Sequence, residues 1–179
     1  MLNQKILFTK EECDYIIDLK KKYKLNHYRR LDENGVLYEP HNFKNKYYLL
    51  ENISDIDWII KRLCDYFEDE IKLHIFFRPT KLNLHNYTIG DEFDKHIDTG
   101  NPMKEWNIGI ILNEDFEGGD YIVYDKNDNP IIIDKKIGNV CIFQSQTPHR
   151  VTPIIYGERW AIAMFLHKFR MSDKQKTLI

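Results

Sequence analysis

The sequence predicts a mainly β fold of the α+β kind, with two N-terminal helices packed on a sandwich or jelly roll. Two observations carry this reading. Apolar residues at helical spacing are confined to residues 9–71. Beyond them come short runs rich in Ile, Val, Tyr and Phe, broken by Gly, Asn, Asp and Pro, which read as strands and turns. No repeat, low-complexity tract or linker divides the 179 residues. One domain is therefore expected, with 1–71 as mainly helical support and 72–170 as the jelly-roll core.

Thr9 suits an N-cap, Glu11 and Glu12 fall in the first turn behind it, and lysines crowd the end near Lys24, so a first helix is expected over 9–24. Residues 26–45 are polar and aperiodic, with a turn at Asn34-Gly35, and read as a loop or short hairpin over one rim of the core. A second helix opens at Ser54 or Asp55 and runs to about Ile71. Its apolar positions Ile56, Ile59, Ile60, Leu63, Cys64 and Phe67 recur at three and four residues. Strands follow at 72–78, 80–88, 95–97, 105–112, 119–124, 130–134, 139–143, 148–154 and 158–167. Turns fall at 115–119 and 126–130.

A hydrophobic fraction of 42% and a charged fraction of 30% describe a globular chain rather than a disordered one. The formal net charge of -2 gives no general attraction to nucleic acid. Cys13, Cys64 and Cys141 are too few and too scattered for a disulfide framework or a zinc ribbon. No apolar segment follows the start, and no run reaches the length of a membrane span, so a cytoplasmic protein without membrane contact is expected.

The chemistry concentrates in two stretches. The first, Tyr87 to Asp98, ends in His96-Ile97-Asp98. Alternation along a strand would send His96 and Asp98 to the same side, offering one nitrogen and one oxygen ligand. Alone, such a pair reads better as a satisfied polar couple at a strand end. The second stretch, residues 144–159, brings His149 and, ten residues on, Arg159. In a jelly roll, strands far apart in sequence lie side by side, so His149 can face the His96/Asp98 strand. Two histidines and a carboxylate are the facial triad of non-haem Fe(II) oxygenases. An arginine turned into the same barrel needs an anion, either a carboxylate co-substrate or a core acid such as Asp120.

The order of motifs is specific. Tyr87, Gly90, Asp91, Phe93, His96 and Asp98 come first, then Leu112-Asn113 and Phe116, Gly118, Gly119 and Asp120. Gly138-Asn139, Phe143, His149, Val151, Pro153, Ile154, Gly157 and Arg159 complete the series. This set resembles the Fe(II)- and 2-oxoglutarate-dependent dioxygenases of the prolyl 4-hydroxylase type, and Phe8 to Cys13 is similar to that family's first helix. The resemblance implies a double-stranded β-helix with Fe(II) held by His96, Asp98 and His149. It further implies 2-oxoglutarate chelating the metal, its far carboxylate on Arg159, and Tyr87 helping to bind it. O2 is the second co-substrate and ascorbate a reductant. The implied reaction hydroxylates an unactivated C–H and releases succinate and CO2.

One departure stands out. Many relatives carry a hydroxyl-bearing residue just before the Leu-Asn pair, where it assists the arginine; here that position is Ile111. Asn83, His85 and Asn107 are the candidates for a substrate cleft, with strand packing as the alternative for each. A prolyl residue in a peptide or protein is the expected substrate. The same chemistry on a free amino acid, small metabolite or nucleobase is the second reading, and a non-catalytic jelly-roll binding module the third. Nucleic-acid repair demethylases of the superfamily carry R-x-N-x-T-x-R where this chain reads Arg159 to Phe165 without that pattern, which argues against nucleic acid.

Overall fold

The computed structural model describes residues 2–27, 30–31, 37–38, 45–72, 79–98 and 104–167. All but the first residue of the expected strand at 72–78 and most of the 26–45 loop lie outside them. Among the described residues, no helix is long and apolar enough to cross a membrane.

Among the described residues, eleven strands lie in two sheets. A seven-stranded sheet has the order β1 (Leu2–Ile6), β12 (Asn139–Gln144), β8 (Lys104–Ile111), β15 (Arg159–His167), β6 (Leu82–Tyr87), β5 (Lys46–Leu50) and β2 (Leu25–His27). A four-stranded sheet has the order β11 (Pro130–Ile132), β10 (Tyr121–Tyr124), β13 (His149–Val151) and β7 (Phe93–His96). Two short pairs, β3 (Arg30–Leu31) with β4 (Leu37–Tyr38) and β9 (Glu117–Gly118) with β14 (Ile154–Tyr156), complete the set. All pairings are antiparallel, and strands distant in sequence are neighbours in space. The architecture is a double-stranded β-helix.

Period-two alternation divides the major sheet into two working faces. Leu82 and Leu84 of β6, Ile108 and Ile110 of β8, Val140 and Ile142 of β12, and Trp160, Ile162, Met164 and Leu166 of β15 share one core with the helices. The intervening residues, among them Tyr87, Asn107, Cys141, Phe143 and Arg159, belong to the other side, toward the minor sheet. Strands buried on both faces read as continuous apolar runs, which is why Val140 to Phe143 shows no alternation in sequence.

Helix α1 (Lys10–Asp18) starts from Thr9 in a capping box with Glu12 and tightens into a 3-10 turn over Leu19–Lys22. Helix α2 (Ile53–Asp69) is capped by Asn52, whose side-chain oxygen accepts from the Ser54 N–H, so it opens slightly earlier than Ser54 or Asp55. Its stripe of Ile56, Ile59, Ile60, Leu63, Cys64 and Phe67 is buried against the sheet, as its spacing requires. Arg62 on α2 forms an ion pair with Glu12 on α1, joining the two.

The stretch before residue 72 is not only helical. It also supplies β1, β2 and β5 to the major sheet. β5 holds Tyr47, Tyr48, Leu49 and Leu50, residues that suit a half-buried pleated surface, and it pairs with β6 in full register. Local periodicity could not reveal this, because the pairing that stabilises β5 comes from residues 82–86.

The turns carry the motif glycines. Gly118 and Gly119 have φ of +72° and +58°, and a Cβ on Gly118 would lie 2.2 Å from the carbonyl oxygen of Pro153. Gly90 donates its N–H to the Ile154 carbonyl, and Ile154 donates back to the Asp91 carbonyl. The Gly-Asp and Pro-Ile motifs are thus one joint between distant segments.

Candidate metal and anion site

β13 and β7 set the first two groups. His149 lies directly opposite His96 across the pair, with ring centres 4.2 Å apart. His96 is the last residue of its strand. Asp98 follows two residues later, held by its N–H donating to the Ser145 carbonyl. The expected same-side projection of His96 and Asp98 is met across a strand end rather than within a strand. His96, Asp98 and His149 each offer a ligand atom, and these atoms all lie within 4.8 Å of one another.

The surroundings fix how the three groups present themselves. His96 Nδ1 donates to the Asp94 carbonyl at 2.7 Å, and His149 Nδ1 donates to the Thr147 carbonyl at 2.9 Å. Each proton sits on Nδ1, so each Nε2 turns a lone pair toward the centre. The Asp98 Oδ2 accepts from the Asn107 amide at 2.7 Å, and the Asn107 oxygen accepts from the Ser145 hydroxyl at 2.8 Å. His149 Nε2 and Asp98 Oδ2 then face each other at 3.4 Å, two electron-rich atoms of a kind that a divalent cation would join. The donor set fits iron: two imidazole nitrogens and one carboxylate oxygen.

Arg159 opens β15 and is registered opposite Tyr87 of β6. Asn113 fixes this start of the strand: its amide donates to the Glu158 carbonyl and its oxygen accepts from the Trp160 N–H, on either side of Arg159. Gly119 leaves space for the arginine stem, since a Cβ there would approach its Cδ to 3.1 Å. The guanidinium carbon lies 5.2 Å from the centre of the Tyr87 ring and 5.8 Å from that of Tyr121. Arg159 is only 3% exposed, its Nε has no hydrogen-bond partner, and no carboxylate among the described residues pairs with it. Asp120, the core acid considered from sequence, instead pairs with Lys135 at 2.8 Å. Burial pulls the guanidinium below its ordinary value, while the Tyr87 and Tyr121 phenols and the Cys141 thiol act in the opposite direction.

These groups share one cavity of about 780 Å³, in the range of small-molecule sites. Burial pushes the phenols of Tyr87 and Tyr121 up, so both remain hydrogen-bond donors. Asn83 and His85 lie on the same cavity wall, with Tyr47, Leu49, Ala163 and Phe165 around them. Asn107, expected in the substrate cleft, also lines the cavity, yet its amide is committed to Asp98 and Ser145. His27 is exposed; His41, His74 and the side chain of His167 lie outside the described residues.

Sequence reasoning missed three participants. Ser145 sits within the quoted 144–159 stretch, but its contact with Asn107 spans 38 residues and leaves no local trace. Asn45 belongs to a stretch read as loop, and its amide bonds His85 and Tyr87. Tyr121 follows the Gly-Gly-Asp motif directly. Gly109 on β8 lacks a side chain where a Cβ would sit 3.0 Å from the Tyr121 ring.

Two histidines, a carboxylate and a buried arginine in one cavity of a double-stranded β-helix offer the donor set of a non-haem iron oxygenase site. The comparisons agree. Residues 82–167 match the family model of the 2OG-Fe(II) oxygenase superfamily. A PKHD-type hydroxylase of Shewanella baltica is 27% identical over 118 residues, covering 60% of this chain and 50% of its own. The chain thus spans about half the length of the curated relatives it matches.

Solved structures share the fold at low identity. A 2OG-Fe(II) oxygenase family oxidoreductase from Burkholderia pseudomallei superimposes with a TM-score of 0.71 at 15% identity, over 97% of this chain and 88% of that one. A Pseudomonas putida prolyl-4-hydroxylase gives 0.70 at 14%, over 93% and 92%. A prolyl hydroxylase from Trichoplax adhaerens, in complex with a hypoxia inducible factor oxygen degradation domain peptide fragment, gives 0.71 at 17%, over 99% and 86%. Residues 82–167 are thus similar to the 2OG-Fe(II) oxygenase superfamily, and the whole chain shares its fold with the solved structures.

Proposed function

We propose that the chain is an Fe(II)- and 2-oxoglutarate-dependent dioxygenase that hydroxylates a prolyl residue in a peptide or protein and releases succinate and CO2. The observation that carries this reading is Arg159, a buried guanidinium without a counter-charge among the described residues, in the same cavity as His96, Asp98 and His149. Such a cation is costly unless an anion arrives. A carboxylate matches its fork.

In this reading the Nε2 atoms of His96 and His149 and the Asp98 carboxylate hold Fe(II), leaving open positions for co-substrates. The bound metal supplies the redox chemistry: O2 is reduced by 2-oxoglutarate, which is decarboxylated to succinate, and by the substrate C–H, which gains the oxygen. Ascorbate, as the reductant that restores Fe(II), completes the cofactor set. The Asp94 and Thr147 carbonyls hold the imidazoles in the liganding tautomer, and Asn107 orients Asp98. Arg159 takes the far carboxylate of 2-oxoglutarate, with Tyr87 beside it. The cavity of about 780 Å³ leaves space for a substrate residue beside these groups.

The prolyl assignment draws on the wall of Tyr47, Leu49 and Phe165, which suits a compact apolar ring, and on the prolyl hydroxylases that share the fold. Succinate release measured over proline-containing peptides, free amino acids and alkylated nucleotides tests it. Turnover with the peptides alone is expected. Turnover confined to either other class would replace the substrate assignment, and no succinate with any would overturn the dioxygenase reading.

A further inference from the structure

We propose that Asn45 is a positioning residue that turns Tyr87 and His85 into hydrogen-bond donors facing the cavity, so that with Arg159 they form a donor-only cradle for the far carboxylate of 2-oxoglutarate. This rests on the function proposed above and adds the residues that complete the anion pocket where Ile111 offers no hydroxyl.

The register sets the geometry. Tyr47 of β5 lies opposite His85 of β6, which places Asn45, two residues earlier, level with Tyr87. Asn45 is only 5% exposed. Its Nδ2 lies 2.7 Å from His85 Nδ1 and donates to the Tyr87 hydroxyl at 3.2 Å. An amide nitrogen carries two protons, one for each contact. His85 Nδ1 is then the acceptor, and a neutral imidazole carries its proton on Nε2. The hydroxyl of Tyr87, accepting from Asn45, keeps its own proton to give.

Neither proton has a protein acceptor among the described residues. The guanidinium of Arg159 has none to offer, because arginine only donates. A carboxylate only accepts, with about four lone-pair sites. The cradle and the ligand are complementary in kind. His85 also stays uncharged: burial and the nearby Arg159 push its pKa down to about 3.

The amide orientation follows from its remaining atom. Asn45 Oδ1 is buried with no partner. Reversing the amide would leave a buried NH2 orphaned at that place, and orphaned donors are rarer than under-satisfied oxygens. It would also draw the Tyr87 proton to Asn45 and away from the cavity.

The test begins with the histidine rings in metal-free protein without co-substrate, read by two-dimensional proton–nitrogen NMR and assigned with His85→Gln. His85 is expected as the neutral Nε2–H tautomer between pH 6 and 8, opposite to the Nδ1–H tautomer of His96 and His149. An Nδ1–H tautomer at His85 overturns the proposal. The second arm is anaerobic calorimetry of 2-oxoglutarate binding to the Mn(II)-loaded protein. Asn45→Asp, which puts acceptors and a negative charge where the donors are, is expected to switch His85 to Nδ1–H and to weaken binding by roughly 100-fold. Asn45→Ser, able to keep one donated bond, is expected to lose roughly tenfold and serves if the aspartate variant does not fold. Unchanged affinity in Asn45→Ser overturns the proposal. Wild-type protein with the expected tautomer but no affinity for 2-oxoglutarate would instead sink the function proposed above, leaving the donor arrangement standing.

Discussion

Arg159 and Tyr87 face each other across β15 and β6, cation against ring at 5.2 Å, and no carboxylate among the described residues closes on the pair. Among the described residues the positive charge is desolvated and has no counter-charge, which suits it to an acidic ligand. That arrangement costs stability and gains specificity for an acidic ligand.

Arg159→Met separates the two effects. Replacing a buried unpaired charge with an apolar side chain of similar length is expected to leave the ligand-free protein as stable or more so, read as an unchanged or raised melting temperature. The same change removes the fork for the far carboxylate and is expected to weaken 2-oxoglutarate by 30-fold or more, since truncating a buried charge pair costs about 2–5 kcal/mol. Calorimetry checks the affinity. A stability loss with unchanged affinity would make Arg159 a structural residue.

Asn107 acts through Asp98. Asn107→Leu keeps the volume close and removes the 2.7 Å bond to Asp98 Oδ2 together with the acceptor for Ser145. Loss of a partner that orients a metal ligand typically costs 10–100-fold in affinity, and a weakening of roughly that size is expected here. Titration with Mn(II) under argon, followed by electron paramagnetic resonance, measures it.

His85 gives a pH signature. Its folded pKa is pushed down to about 3 by burial and by Arg159, against 6.5 ordinarily. Between these values the unfolded chain binds the proton and the folded chain does not, so stability rises with pH across that window and falls on acidification through it. The groups facing the ring are Asn45, Tyr87, Tyr47 and Arg159, and no carboxylate is among them. His85→Gln is expected to flatten the pH dependence of unfolding free energy between pH 6.5 and 4. An unaltered slope in denaturant titrations would show that His85 is not the group responsible.

The convergence of His96, Asp98, His149 and Arg159 on one cavity was legible because each is tied to a local signal: a His-x-Asp pair, Gly-Asp and Gly-Gly turns, and a glycine shortly before Arg159. The helices were legible for a similar reason, since Thr9 and the Ile56 to Phe67 stripe act within a few residues of themselves. What stayed hidden depends on long-range partners. β5 exists because residues 82–86 pair with it, and β1 because Val140 to Phe143 accept it at the sheet edge. Asn45 bonds groups 40 and 42 residues away, and a lone asparagine in a polar loop carries no mark of that. Asn107 lines the cavity, but its commitment to Asp98 follows from the turn of chain after β7 rather than from any pattern along β8.

In the proposed function His96, Asp98 and His149 hold Fe(II) beside a 2-oxoglutarate whose far carboxylate lies on Arg159. Anaerobic addition of 2-oxoglutarate to the Fe(II)-loaded protein tests it most directly, because chelation of the metal gives a weak visible charge-transfer band. The band is expected to form with wild-type protein, to be lost in His149→Ala, and to require much more 2-oxoglutarate in Arg159→Met. A band of the same intensity in His149→Ala, forming at the same 2-oxoglutarate concentration, would contradict the assignment.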